Sequence, residues 1–163
     1  MKIRNFEVLN SKAVKAIAES IRQQWNIEEK PAYGFLQKEN DIFLVTQAVD
    51  RVNLEQLNIN SLGIYFGELR HEQLRLSIEG SQMLGPKAKK NVIALDDGQL
   101  LQWLRGDDIP LTDMMTVKRS DNDGSDANAY LIIKHNNDFF GCGRIKEGKL
   151  LNFVPKSRRM AAL

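Results

Sequence analysis

The sequence predicts an α+β protein: an N-terminal antiparallel sheet with helices over residues 1–90, then a small barrel or curled sheet over 91–163. Three observations predict it. Val14, Ile17, Ala18, Ile21 and Trp25 recur at i, i+3, i+4 spacing, the period of an amphipathic helix. The other apolar runs are mostly short and separated by turn-forming residues, the pattern of strands in a small sheet. Finally, "GPKAKKN" (Gly85–Asn91) is small, basic and free of large apolar residues, and the pattern restarts after it.

Asn10-Ser11 caps the first helix, whose wet side carries Lys12, Lys15, Glu19 and Arg22, and Pro31 bars its continuation. Tyr33–Lys38 and Ile42–Val49 read as strands joined by a turn at Glu39-Asn40-Asp41. Asn53–Asn60 reads as a short helix or loop, and Leu62–Phe66 and Gln73–Ile78 as two more strands. Alternation in the last of these puts Leu74, Leu76 and Ile78 on one face. Glu79–Leu84 is a short helix stopped by Gly85-Pro86. Beyond the boundary, Val92–Leu95 is a strand, and Asp96 or Asp97 caps a helix that buries Leu100, Leu101 and Leu104 and ends at Gly106. Thr116–Arg119 is a strand, "SDNDGSDAN" an exposed turn and Ala129–His135 a strong strand. Phe139–Ile145 and Leu150–Val154 close the chain, joined through Lys146-Glu147-Gly148.

The composition, 42% apolar and 27% charged, is that of a globular protein. A single cysteine, Cys142, excludes an intrachain disulfide and a cysteine-rich zinc site and suits a reducing compartment. The N-terminus lacks the apolar core of a signal peptide, and no run approaches membrane-spanning length, so a soluble cytoplasmic protein without membrane contact is expected. His71 and His135 stand in no HxxxH or HxxE pattern, so no metal site is expected. Gly141-Cys142-Gly143 runs into strand and turn rather than opening a helix, which argues against a phosphate loop, and no nucleophile pattern surrounds Cys142. "DNDGSDAN" lacks the terminal glutamate of a calcium loop. No catalytic residue and no cofactor are expected.

Charge placement is the informative feature. From Arg144 to the C-terminus the chain carries Arg144, Lys146, Lys149, Lys156, Arg158 and Arg159 against Glu147 alone, a net +5. With +2 overall, the other 143 residues sum to −3. A smaller cluster sits at Lys87, Lys89 and Lys90. Arginine's planar fork and lysine's mobile charge both suit phosphate oxygens, so this tail has the electrostatic footprint of a nucleic-acid surface. As exposed charges, Arg158 and Arg159 are expected to contribute little to stability.

The second half resembles a PUA domain, the small mixed-sheet RNA-binding barrel. The residues that carry the resemblance are "LLQWLRGDDIPL", "AYLIIKH", "FFGCGRI" and the closing "LLNFVPKSRRM". With "LRLSIEGSQMLG" ahead of them, the order is similar to the pre-PUA plus PUA arrangement of ribosome-biogenesis proteins. It is closest to the region attached to ribosomal-RNA cytosine-5 methyltransferases of the Fmu/Sun type. The resemblance covers most of Asn60–Met160 and thins toward the N-terminus. It implies a PUA-like mixed β-barrel and RNA contacts at Arg105 and Gly106 on the helix-to-strand turn, with backbone N–H groups open at Gly106. It further implies contacts at Gly141, Gly143 and Arg144 on the glycine strand, and at Lys156, Arg158 and Arg159 after the last strand. The methyltransferases also carry a Rossmann-like catalytic domain with a Pro-Cys nucleophile. Here the one cysteine lies in Gly-Cys-Gly, so methylation by this chain alone is not expected.

The expected function is therefore non-catalytic binding of structured rRNA or tRNA, in ribosome biogenesis or RNA modification. The alternative is a protein-interaction subunit whose N-terminal half docks a methyltransferase or ribosome-assembly factor. A third reading, an enzyme working in the cleft between the halves, would be favoured by binding of S-adenosylmethionine.

Overall fold

The computed structural model describes residues 2–3, 6–29, 32–51, 62–112, 117–118 and 128–161. The Asn53–Asn60 segment and most of "SDNDGSDAN" lie outside them. Six strands form the first sheet in chain order: β1 (Lys2–Ile3), β2 (Phe6–Val8), β3 (Gly34–Lys38), β4 (Asp41–Val45), β5 (Ile64–Arg70) and β6 (Gln73–Leu76). Every pairing in it is antiparallel. Helix α1 (Ser11–Trp25) lies between β2 and β3 in sequence, and α2 (Ile78–Leu84) follows β6.

The second sheet is a curled half-barrel of β7 (Val92–Ala94), β8 (Ile109–Pro110), β9 (Val117–Lys118), β10 (Leu131–His135), β11 (Asp138–Lys146) and β12 (Lys149–Asn152). Its order is β8-β12-β11-β10-β7-β9. Only β7 and β10 run parallel, which makes the sheet mixed. Helix α3 (Asp97–Arg105) connects β7 to β8.

Local chemistry sets the helix ends. The Asn10 side chain accepts the Ala13 N–H at 3.0 Å, and Asn26 ends α1 in the left-handed region. Asp96 and Gln99 form a reciprocal capping box at 2.8 and 2.9 Å. Ser77 explains one departure from the sequence reading. Its hydroxyl accepts the Gly80 N–H, so the strand stops at Leu76 and Ile78 opens α2 rather than continuing the alternation. Likewise β4 stops at Val45 and a 3-10 turn takes over at Gln47–Arg51. As expected, α2 ends at Leu84, with Gly85 at its C-cap. The chain stays right-handed into a 3-10 turn at Gly85–Lys87, and the Phe139 ring lies where a Gly85 side chain would be.

Gly85–Asn91 separates the two sheets in sequence, yet one apolar core crosses between them. Ile17, Ile21, Trp25, Phe35 and Leu74 share a cluster with Val92, Tyr130, Ile132, Phe139 and Cys142. Polar pairs bridge the same junction. Trp25 Nε1 donates to the Tyr130 carbonyl at 3.2 Å, and the Lys89 N–H donates to the Trp25 carbonyl at 2.9 Å. Asn91 is fully buried and donates to the Gln24 carbonyl at 2.6 Å. Gln24 in turn pairs with both backbone groups of Leu74. A second cluster of Ile93, Trp103, Leu131, Ile133, Leu150 and Val154 packs α3 onto the second sheet. Here the structure corrects the expected core of α3. Trp103 is the fully buried residue, whereas Leu101 points outward at 44% exposure. The two are 200° apart on a helix, so burying one exposes the other.

Candidate nucleic-acid interface

A bulge in β11 organises this surface. Ile132 faces Cys142 but Lys134 faces Phe139, so β11 holds one extra residue around Phe140-Gly141. The bulge frees backbone groups, and both are taken by helices. Trp103 Nε1 donates to the Phe140 carbonyl, and the Gly141 N–H donates to the Ser81 hydroxyl, each at 2.8 Å. Gly141 has φ +90°, a left-handed conformation that suits glycine. Gly143 is also buried, with the Trp103 ring and Leu150 occupying the space a side chain would need. Both glycines thus serve the packing of α2, α3 and β12 on β11.

The residues after β12 fold back onto the end of α3. The Met160 N–H donates to the Leu104 carbonyl at 2.8 Å. Asn152 Nδ2 donates to the carbonyls of Trp103 and Asp107 at 2.8 and 3.0 Å, and its N–H reaches Asp108 Oδ1. The last carbonyls of a helix need outside donors, and here they come from β12 and the tail. Gly106 closes α3 at φ +92°, with its N–H turned back to the Trp103 carbonyl. That N–H is used inside the helix end rather than presented outward. The Arg159 side chain covers Gly106, and its Nε donates to the Val154 carbonyl at 2.9 Å.

Docking sets Arg159 over Gly106, next to Arg105 in the chain, with Lys156 and Arg158 in the 3-10 turn just before it. Positive charge is also favourable there for the helix dipole. Their environments differ. Arg105 and Lys156 are exposed and carry no ion pair among the described residues. Arg158 pairs with Glu79 of α2 at 2.6 Å. Arg158 and Arg159 are exposed, as expected, and each also has a partner: Arg159 lies over Gly106 and bonds Val154. Arg144 turns toward the first sheet. It stacks on the Tyr130 ring at 4.1 Å and donates to Gln73 Oε1 at 3.0 Å. Lys146 and Lys149 face each other, exposed, across the β11–β12 turn, and Lys149 also pairs in register with Pro110 of β8.

Replacing Gly106 with Ala is expected to lower stability by about 1–3 kcal/mol, because alanine is strained at this φ and its methyl displaces Arg159. Urea unfolding of the variant beside Arg159→Ala checks this. A Gly106→Ala loss no larger than that of an exposed helix substitution would show that the covering arginine is not needed.

The residues missed by sequence reading are Asn152, Ser81, Arg75 and Glu79. Asn152 alone left a signal, as the polar interruption of "LLNFV". The remaining chemistry is quiet. His135 is held between the Leu95 carbonyl at 2.9 Å and Asp97 at 3.1 Å. Burial pushes the Cys142 thiol up to about 12, outside the range of a nucleophile at neutral pH. Among the described residues no three His, Cys, Asp or Glu side chains come together as a metal site, and no helix is long and apolar enough to cross a membrane.

The segment that builds this face, from just before β7 to Met160, coincides with a family match: residues 90–160 match the model described as Methyltransferase RsmF PUA domain. This segment is similar to a PUA domain. A search of curated proteins gives no significant match to the chain. The matched region includes Met160, whose N–H seats the tail on α3, so the docked tail lies inside the matched segment rather than trailing from it. PUA domains are non-catalytic RNA-binding modules, and the first sheet with α1 and α2 lies outside the match.

Proposed function

We propose that this chain binds structured RNA, rRNA or tRNA, through the face where the tail meets the end of α3, and that it does so without catalysis. The observation that carries this reading is the basic tail, with Lys156, Arg158 and Arg159, seated on the end of α3 that carries Arg105, in a segment that matches a PUA domain. Phosphate contacts of this kind position RNA without reading its sequence. The aromatics support recognition by shape and backbone rather than stacking. Phe139 is buried and Phe140 and Phe153 are packed against the core, and among the described residues Tyr33 of the N-terminal half is the one exposed aromatic. The RsmF context of the family favours a role in RNA modification or ribosome biogenesis, alongside a separate methyltransferase or assembly factor. The unpaired thiol of Cys142 suits a cytoplasmic setting.

Titration of the protein against tRNA and ribosomal RNA at 50 and 200 mM salt tests the reading. With several phosphate contacts, affinity is expected to fall by roughly two orders of magnitude or more between these conditions. No binding at the lower salt would refute it. Salt-insensitive association with a protein partner would favour a docking subunit instead.

A further inference from the structure

Where the PUA domain meets the first sheet, there is a cleft of about 90 Å3. Tyr65, Arg75, Ser77 and Glu79 line it from the N-terminal half, and Phe153 and Arg158 from the PUA side. Arg158 spans the opening to reach Glu79, with half of its side chain still exposed. Ion pairs at this exposure contribute only about 0–1 kcal/mol, so another anion can take the place of the carboxylate. Burial alone would raise the Glu79 carboxyl, but hydrogen bonds led by that from Arg158 bring it below its ordinary value, so it is ionised at neutral pH. Arg75 stacks on the Phe153 ring at 4.8 Å and is steered by the buried carboxylate of Glu68. The cleft is polar on one wall and has room for a phosphate group. Arg158 belongs to the same short stretch of tail as Lys156 and Arg159.

We propose that this cleft is a phosphate subsite of the RNA surface, in which one backbone phosphate displaces Glu79 from Arg158 and lies between Arg158 and Arg75. The subsite rests on the RNA-binding reading and extends it across the junction to the N-terminal half. Glu79 is the resident anion that the phosphate replaces. Weak or misplaced anions do not displace it, so Glu79 sharpens the choice of ligand.

The test uses the full chain, a fluorescently labelled RNA hairpin and tRNA, and the variants Glu79→Gln, Arg158→Ala and the two combined. Arg158→Ala is expected to weaken binding several-fold and to lower the slope of log affinity against log salt by about one. Glu79→Gln is expected to tighten binding by up to about fivefold, and to do nothing once Arg158 is gone. Equal tightening by Glu79→Gln with and without Arg158 would reveal only a long-range charge effect and overturn the subsite. So would an unchanged salt slope in Arg158→Ala. Arg158→Lys, which keeps the charge, serves if the alanine variant is unstable, and retention of slope with weaker affinity supports the proposal. If the wild type binds RNA in a salt-sensitive way while these variants behave as it does, the subsite falls and the RNA-binding reading stands. Absence of wild-type binding removes both.

Discussion

Trp25→Ala is expected to cost about 3–5 kcal/mol and to destabilise both halves of the molecule together. The indole is fully buried in the cluster that joins α1 and the first sheet to Val92, Tyr130 and Ile132 of the PUA side. Its removal opens a cavity at that junction and leaves the Tyr130 carbonyl without its donor. The measurement is convenient because the chain has two tryptophans, so in this variant the fluorescence reports on Trp103 alone. Trp103 sits in the second cluster, inside the PUA domain. A lower urea midpoint by Trp103 fluorescence would show that the halves unfold as one unit. An unchanged Trp103 midpoint would mean that the PUA domain holds its fold independently of the shared core.

The second large effect concerns binding. The combined variant Arg105→Ala/Lys149→Ala/Lys156→Ala is expected to lower RNA affinity by roughly a hundredfold at 50 mM salt and to flatten the salt slope by about three. All three side chains are exposed and without ion pairs among the described residues, so stability should change by no more than about 1 kcal/mol, mostly from Arg105 at the helix end. Lys12→Ala/Lys15→Ala on the wet side of α1 is the control, since it removes positive charge from outside the PUA domain. That pair is expected to leave affinity within about twofold. Equal losses from both sets would show that net charge, rather than the placement of basic residues on the PUA side, governs binding.

Much of the fold was legible because its signals are local. Asn10, Asp96 and Gly106 act within a few residues of the helix ends they define, and the period of Val14 to Trp25 belongs to one helix. The turns at Glu39, Asn136 and Glu147-Gly148 likewise show in the identity of single residues. Where a local reading failed, a competing local bond was sometimes responsible, as when the Ser77 hydroxyl started α2 at a residue that alternation had assigned to a strand.

The location of the basic surface was also legible, since the excess of charge lies in one stretch of sequence. The division of labour within it was not. Whether an arginine meets solvent, a carbonyl or a ring depends on which distant segment packs beside it. Arg144 finds Gln73 and Tyr130, Arg158 finds Glu79, and Arg159 finds the bare backbone of Gly106. The glycines show the same limit. Their identity announced an unusual backbone, but only the pairing of β10 with β11 created the bulge whose freed groups Trp103 and Ser81 satisfy. The sequence by itself therefore determined the elements, their caps and the charge of the tail, all set by neighbours along the chain. Tertiary structure decided the shared core, the docking of the tail and which cations remain free, because those depend on contacts between residues dozens of positions apart.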